Sequence, residues 1–236
     1  MKLMISVINK QEALIAQQAG ANLIDIKNPK EGSLGAQSPA MIRDIVAALE
    51  PGIEVSATLG DVPFLPCTIA QAAYAVASFG VTYVKVGLRG CMSMAQARAM
   101  SVEIMAAISP FKDVNMVVAG YADYREQHTL SPFELVRAAT GTGAAGILID
   151  TLSKDGRNLF DFMAEPELAA LVSAAHDAGL LCALAGSINL SHVEQLLDIG
   201  ADISGVRGAI CAGGREGSLV PAKIAAFQTA LSAPVR

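Results

Sequence analysis

Short apolar runs, each interrupted by at most one or two ionisable positions, recur along this chain and alternate with longer stretches bearing helix-start signals. Residues 1–8 predict a first strand. Asn9 with Glu12 three positions on has the form of a capping box, and Gly20 closes the helix that follows. Residues 23–27 predict a second strand, which Asn28-Pro29 stops. Ser38-Pro39 then starts a helix, a cap followed by proline at the first helical position. Residues 53–58 alternate as a strand, and a helix runs from about residue 68 to Gly80. Strands are predicted at 81–86, 114–119, 146–150, 180–185 and 202–206. The helices between them start at Ser93 with Gln96, at Ser131-Pro132 with Glu134, near Pro166, and at Ser191 with Glu194. A last helix covers residues 220–231.

Eight strands thus alternate with helices. One phrase recurs, a helix end meeting glycine and then an apolar strand: AG-ANLIDIK, FG-VTYVKVG, AG-LLCALAG, IG-ADISGVRG. Near-continuous apolar strands in repeated βα units imply a parallel sheet covered on both faces. Eight units in 236 residues predict an α/β fold, a single-domain (β/α)8 TIM barrel over residues 1–236. A doubly wound open sheet is the alternative, and no GxGxxG follows the first strand to support it.

Composition narrows the setting. Hydrophobic residues make up 53% of the chain, aromatics only 5%, and Trp is absent, so a large core of small aliphatic side chains is expected. The formal charge of −5 comes without a block of like charges. No nucleic acid or membrane partner is therefore expected, the partner being a small molecule. Cys67, Cys91, Cys182 and Cys211 lie far apart with no CxxC spacing, which fits a reducing, cytoplasmic location. The uncharged stretch 62–84 contains Pro63, Pro66, Gln71 and Gly80 and reads as helix plus strand, not as a membrane span. The first residues read as a strand and not as a signal peptide.

Candidate chemistry lies at the strand ends, where ligands bind in a barrel of this kind. Asp25 and Lys27 are two apart and project to the same side of the second strand. Lys85 sits in the fourth strand, Asp150 ends the sixth, and Lys154 lies in the loop beyond. For Asp25 and Lys27 a structural ion pair is the alternative, and for Lys85 a path out to solvent between helices. Two lysines inside an apolar barrel share one field. Desolvation and like charge both lower an amine's pKa and favour a neutral nucleophile. A second site is expected after the seventh and eighth strands, where Gly186-Ser187 and Arg207-Gly208 occupy the usual phosphate position of this fold. Arg207 either adds a charged fork there or points away, and ordinary strand-to-helix turns are the competing reading of the glycines. Ser56, Thr58, Tyr121, Asp123 and Tyr124 are weaker candidates. His128, His176 and His192 are scattered, so no metal site is expected.

Three segments, DIKNPKEGSLG, YVKVGL and DTLSKDG, resemble the (5-formylfuran-3-yl)methyl phosphate synthase family, and the similarity runs through nearly the whole chain. The resemblance implies a lyase that condenses two glyceraldehyde 3-phosphate molecules to the phosphate ester of 4-(hydroxymethyl)-2-furancarboxaldehyde, releasing phosphate and water. This is a first step towards the furan of methanofuran. It further implies Lys27 as the Schiff-base lysine, Lys85 as the proton-transfer residue, and Asp25, Asp150 and Lys154 as the supporting set. No cofactor is implied; the partner is a phosphosugar substrate, and a homo-oligomer is compatible with the sequence.

Overall fold

In the computed structural model, which describes residues 1–232, eight parallel strands pair in sequence order and β8 returns to β1, closing a barrel. The strands are β1 (Lys2–Val7), β2 (Leu23–Ile26), β3 (Glu54–Pro63), β4 (Tyr83–Gly90), β5 (Asn115–Tyr121), β6 (Gly146–Asp150), β7 (Leu181–Leu184) and β8 (Ile203–Val206). The expected (β/α)8 architecture is therefore present. Residues 233–236 of the expected domain lie outside the described residues. Among those described, no helix is long and apolar enough to cross a membrane. The uncharged stretch becomes the helix Pro66–Ala77 and the start of β4.

Alternation along each strand sorts side chains into two layers. Outward residues such as Leu3, Ile5, Ile24, Ile26, Val84 and Ile147 join the helices in the main core. Inward residues Met4, Leu23, Tyr83, Leu148, Ala183 and Ile203 fill the lower half of the cylinder. One step up each strand, inward positions turn polar: Ser6, Asp25, Ser56 and Lys85 are all buried. Above Ala183 and Ile203 the inward positions of β7 and β8 lead to Ala185 and Gly205, so that side stays hollow.

Strand β3 runs five residues past its expected end, and β4 four past its own. The ladder between them shifts register around Asp61, where Gly60 adopts φ 112°. A conformation that glycine alone reaches cheaply re-aims the strand and swings Asp61 over the barrel. Helix starts are only partly as predicted. Ser131 and Glu134 form the complete capping box. The cap at Ser191 does not form: Asn189 instead caps a 3-10 turn, Leu190–His192, that leads into the helix Val193–Ile199.

Candidate active site

Parallel pairing sets Ser6, Asp25 and Ser56 side by side on β1, β2 and β3. Asp25 is fully buried, and a carboxylate there needs every lone pair occupied. Ser6 Oγ donates to its Oδ2 at 2.9 Å, and Ser56 Oγ to its Oδ1 at 2.6 Å. Lys85 Nζ donates to the same Oδ1 at 2.6 Å. Lys85 thus faces the barrel interior and not the solvent between helices. Burial alone would raise the Asp25 pKa, but the charges of Lys85 and Lys27 and the hydrogen bonds from Lys85 and Ser56 bring it below the ordinary carboxylate range.

A second acid–amine pair stands across the cavity. Asp150 ends β6, and Lys154 Nζ donates to its Oδ1 at 2.8 Å and to Thr151 Oγ1 at 3.0 Å. Ser33, from the loop after β2, donates to Asp150 Oδ2 at 3.1 Å and to the Thr151 carbonyl at 2.9 Å. The backbone N–H of Thr151 donates to Asp150 Oδ1. Burial opposes ionisation of Asp150, yet Lys154, Lys27 and these bonds outweigh it and hold the carboxyl well below the usual range.

Lys27 lies between the two pairs. Its backbone N–H still donates to the Val7 carbonyl, so the side chain keeps the inward direction of β2. Nζ is 4.0 Å from Asp150 Oδ2, too far for a hydrogen bond. Among the described residues it donates to no protein acceptor. Burial lowers its pKa most; Asp150 and Asp25 pull back, Lys85 and Lys154 push down again, and the outcome is about 8. Three amines therefore converge on two carboxylates, and the one left without a carboxylate hydrogen bond is the one whose pKa is lowered towards neutrality.

The loop that carries Ser33 is clamped from above. Leu34 N–H donates to Asp61 Oδ2 at 3.0 Å, and Tyr121 OH donates to Asp61 Oδ1. Burial, then the Asp61 charge, pushes the Tyr121 phenol well above its ordinary pKa, so it stays a donor. Gly87 makes room for this clamp: a Cβ there would come within 2.5 Å of both Asp61 Oδ1 and Tyr121 Oη. Asp123 accepts the N–H groups of Leu152 and Ser153 and so shapes the Lys154 loop. Thr58 donates to the Gly35 carbonyl at 2.7 Å. Neither residue reaches the cavity.

The cavity has a volume of about 360 Å³. Asp25, Lys27, Lys85, Asp150 and Lys154 line it together with the segments after β7 and β8, including Gly186, Ser187 and Gly208. Gly186 has φ 105°, and a Cβ there would sit 2.9 Å from Thr151 Cγ2. Among the described residues the N–H groups of Gly186 and Ser187 donate to no protein acceptor.

Arg207 departs from the expectation of a charged fork for a ligand phosphate. Its Nη1 donates to Glu12 Oε2 and the Ser6 carbonyl, both at 2.8 Å. Nη2 donates to Glu12 Oε1 and the Gly217 carbonyl, and Nε to the Arg215 carbonyl. A guanidinium has five N–H donors, and all are spent within the protein. Glu12 does not close a capping box on Asn9; its carboxylate receives the Ile8 N–H and Arg207 instead. Burying that guanidinium requires a buried counter-charge, and Glu12 supplies it.

Sequence reasoning missed Ser6, Ser33, Asp61 and Arg215. Ser6 leaves a faint signal as a lone hydroxyl inside an apolar strand. Ser33, Asp61 and Arg215 lie in loops or past the expected strand ends and leave none.

A family model described as 4-HFC-P synthase matches residues 3–228. A Methanosarcina barkeri protein named (5-formylfuran-3-yl)methyl phosphate synthase is 43% identical over 220 residues, 93% of this chain and 94% of that protein. One of the same name from Methanothermobacter thermautotrophicus is 44% identical over 214 residues, 91% of each. Among solved structures, phosphoribosyl anthranilate isomerase from Thermus thermophilus superposes with a TM-score of 0.66 at 15% identity, covering 98% of both chains. That likeness is one of fold alone. The two sequence matches span the strands that bring the lysines and carboxylates together, and on them the chain belongs to the 4-HFC-P synthase family.

Proposed function

We propose that this synthase joins two molecules of glyceraldehyde 3-phosphate through a Schiff base on Lys27. The product is the phosphate ester of 4-(hydroxymethyl)-2-furancarboxaldehyde, with loss of one inorganic phosphate and of water. The family's name supports the product, and the observation that carries the chemistry is the state of Lys27. An amine with a pKa of about 8 and no carboxylate hydrogen bond keeps roughly a tenth of its population neutral at pH 7, far more than an ordinary lysine, and that fraction can attack a carbonyl.

Loss of water from the carbinolamine leaves an iminium, whose positive charge replaces the one the amine gave up. Asp25 and Asp150, both ionised, stabilise that charge in a site with little water. The iminium acidifies the neighbouring C–H. The Lys85–Asp25 pair is the acid–base couple that takes this proton and returns one later. The resulting enamine adds to the aldehyde carbon of the second triose, forming the new carbon–carbon bond. Lys154, held by Asp150 and Thr151, is a donor for leaving oxygens during dehydration and phosphate loss. The unpartnered amides of Gly186 and Ser187, with Gly208 beside them, are anion ligands for a substrate phosphate.

Borohydride reduction in the presence of glyceraldehyde 3-phosphate, followed by peptide mass mapping, tests this reading. The expected result is an adduct on the peptide containing Lys27, absent in Lys27→Arg, whose furan formation falls by roughly 10³-fold or more. An adduct on another lysine, or full activity in Lys27→Arg, overturns it.

A further inference from the structure

The cations around the cavity are hydrogen-bonded to carboxylates, with two exceptions. Lys85 has Asp25, Lys154 has Asp150, and Arg207 has Glu12. Lys27 and Arg215 remain. Lys27 has a lowered pKa and can give up its proton, which a guanidinium cannot. Arg215 lines the cavity and is half-buried, yet among the described residues no carboxylate lies within salt-bridge distance of it.

Its donors are divided unequally. Nη2 is tethered to the Pro29 and Gly32 carbonyls, at 3.0 and 3.1 Å, in the loop that follows Lys27. Nε and Nη1 donate to no protein acceptor among the described residues, which leaves three N–H groups without a partner on a charged side chain that lines the cavity. The backbone of Arg215 is also fixed. Its carbonyl accepts Arg207 Nε at 2.6 Å, and its amide nitrogen would lie 3.7 Å from a Cβ on Gly208. The buried Glu12–Arg207 pair thus fastens the β8 loop from below, while Arg215 reaches from that loop across to the β2 loop.

We propose that Arg215 is the phosphate-binding and substrate-selecting guanidinium of this cavity, the part the sequence had suggested for Arg207. It takes the anion with Nε–H and Nη1–H while Nη2 keeps the Lys27 loop drawn against it. The identity of the anion as the ester group of a triose phosphate rests on the function proposed above; the anion site itself does not.

The test is calorimetric titration of the full-length protein with inorganic phosphate and with glycerol 3-phosphate, neither of which can form an imine. Arg215→Gln is expected to weaken both by roughly ten- to hundredfold. Arg215→Lys, which keeps charge but not the fork, is expected to fall between. Borohydride trapping of unphosphorylated glyceraldehyde on Lys27 separates binding from loop disruption, and its rate is expected to change little in Arg215→Gln. Undiminished phosphate affinity in Arg215→Gln overturns the assignment, and so does undiminished affinity in Arg215→Lys should the first variant not fold. An equal loss of trapping with the uncharged triose assigns Arg215 to loop structure and also overturns it. A phosphate site that depends on Arg215 in a protein that traps no imine leaves this inference standing while the proposed condensation fails.

Discussion

Each end of the barrel carries lysine, carboxylate and tyrosine side chains, and the two ends treat their lysines in opposite ways. At the N-terminal end Lys2 Nζ is 2.7 Å from Glu54 Oε2, with Tyr83 OH on the other oxygen. Lys2 is exposed, and its hydrogen bond to Glu54 raises its pKa. At the C-terminal end Lys27 is nearly buried, its carboxylates are already engaged by other amines, and its pKa is lowered. Residue type does not separate the two ends. The difference lies first in burial, which withholds water from Lys27, and then in how many amines share the available carboxylates.

The largest expected effect comes from unbalancing the buried end. Lys85→Met removes the charge partner of Asp25 and leaves a carboxylate with only Ser6, Ser56 and distant Lys27 to stabilise it. Breaking such a pair is expected to cost about 3–5 kcal/mol in urea unfolding. The double variant Lys85→Met/Asp25→Asn should recover much of that, because no buried charge is then left over. If the single and double variants are equally stable, the pair does not act as a charge pair.

A pH series tests Lys27 directly. The amine's folded-state value, about 8, lies below that of a lysine in the unfolded chain. Stability from its neutral form is therefore present above the unfolded value and lost as pH falls through about 8. The imine-trapping rate should follow the neutral fraction, falling about tenfold per pH unit below that point. A rate that is flat down to pH 6 would mean that the amine's protonation does not limit attack. The smallest effect belongs to the other end. Lys2→Met should change stability by well under ~1 kcal/mol, leave furan formation unaltered, and leave the acid limb of the trapping profile where it was.

What could be read from the sequence follows from how each feature is encoded. Asp25, Lys27, Lys85 and Asp150 are ionisable residues set in apolar strands, and strand alternation fixes their direction once the barrel is assumed. Lys154 is legible from its place in the loop after the sixth strand and from the DTLSKDG resemblance. The roles of Ser33 and Arg207 depend on partners 117 and 195 residues away, which no local pattern announces. Glu12 was misassigned for the same reason. A glutamate three residues after Asn9 satisfies the local rule for a cap, but a distant guanidinium outcompetes the local amide for its carboxylate. Asp61 lay beyond the predicted end of β3, because the Gly60 bulge extends that strand where alternation had appeared to stop.

The Glu12–Arg207 pair has a consequence for the order of folding. It joins the first helix to the final strand, so the seam where the sheet meets itself is sealed by a contact between opposite ends of the polypeptide. Until β8 is made, Glu12 has no guanidinium to meet, and the loop bearing Arg215 has no anchor. The cavity is complete only once the last quarter of the chain has docked, because Arg207, Gly208 and Arg215 all line it.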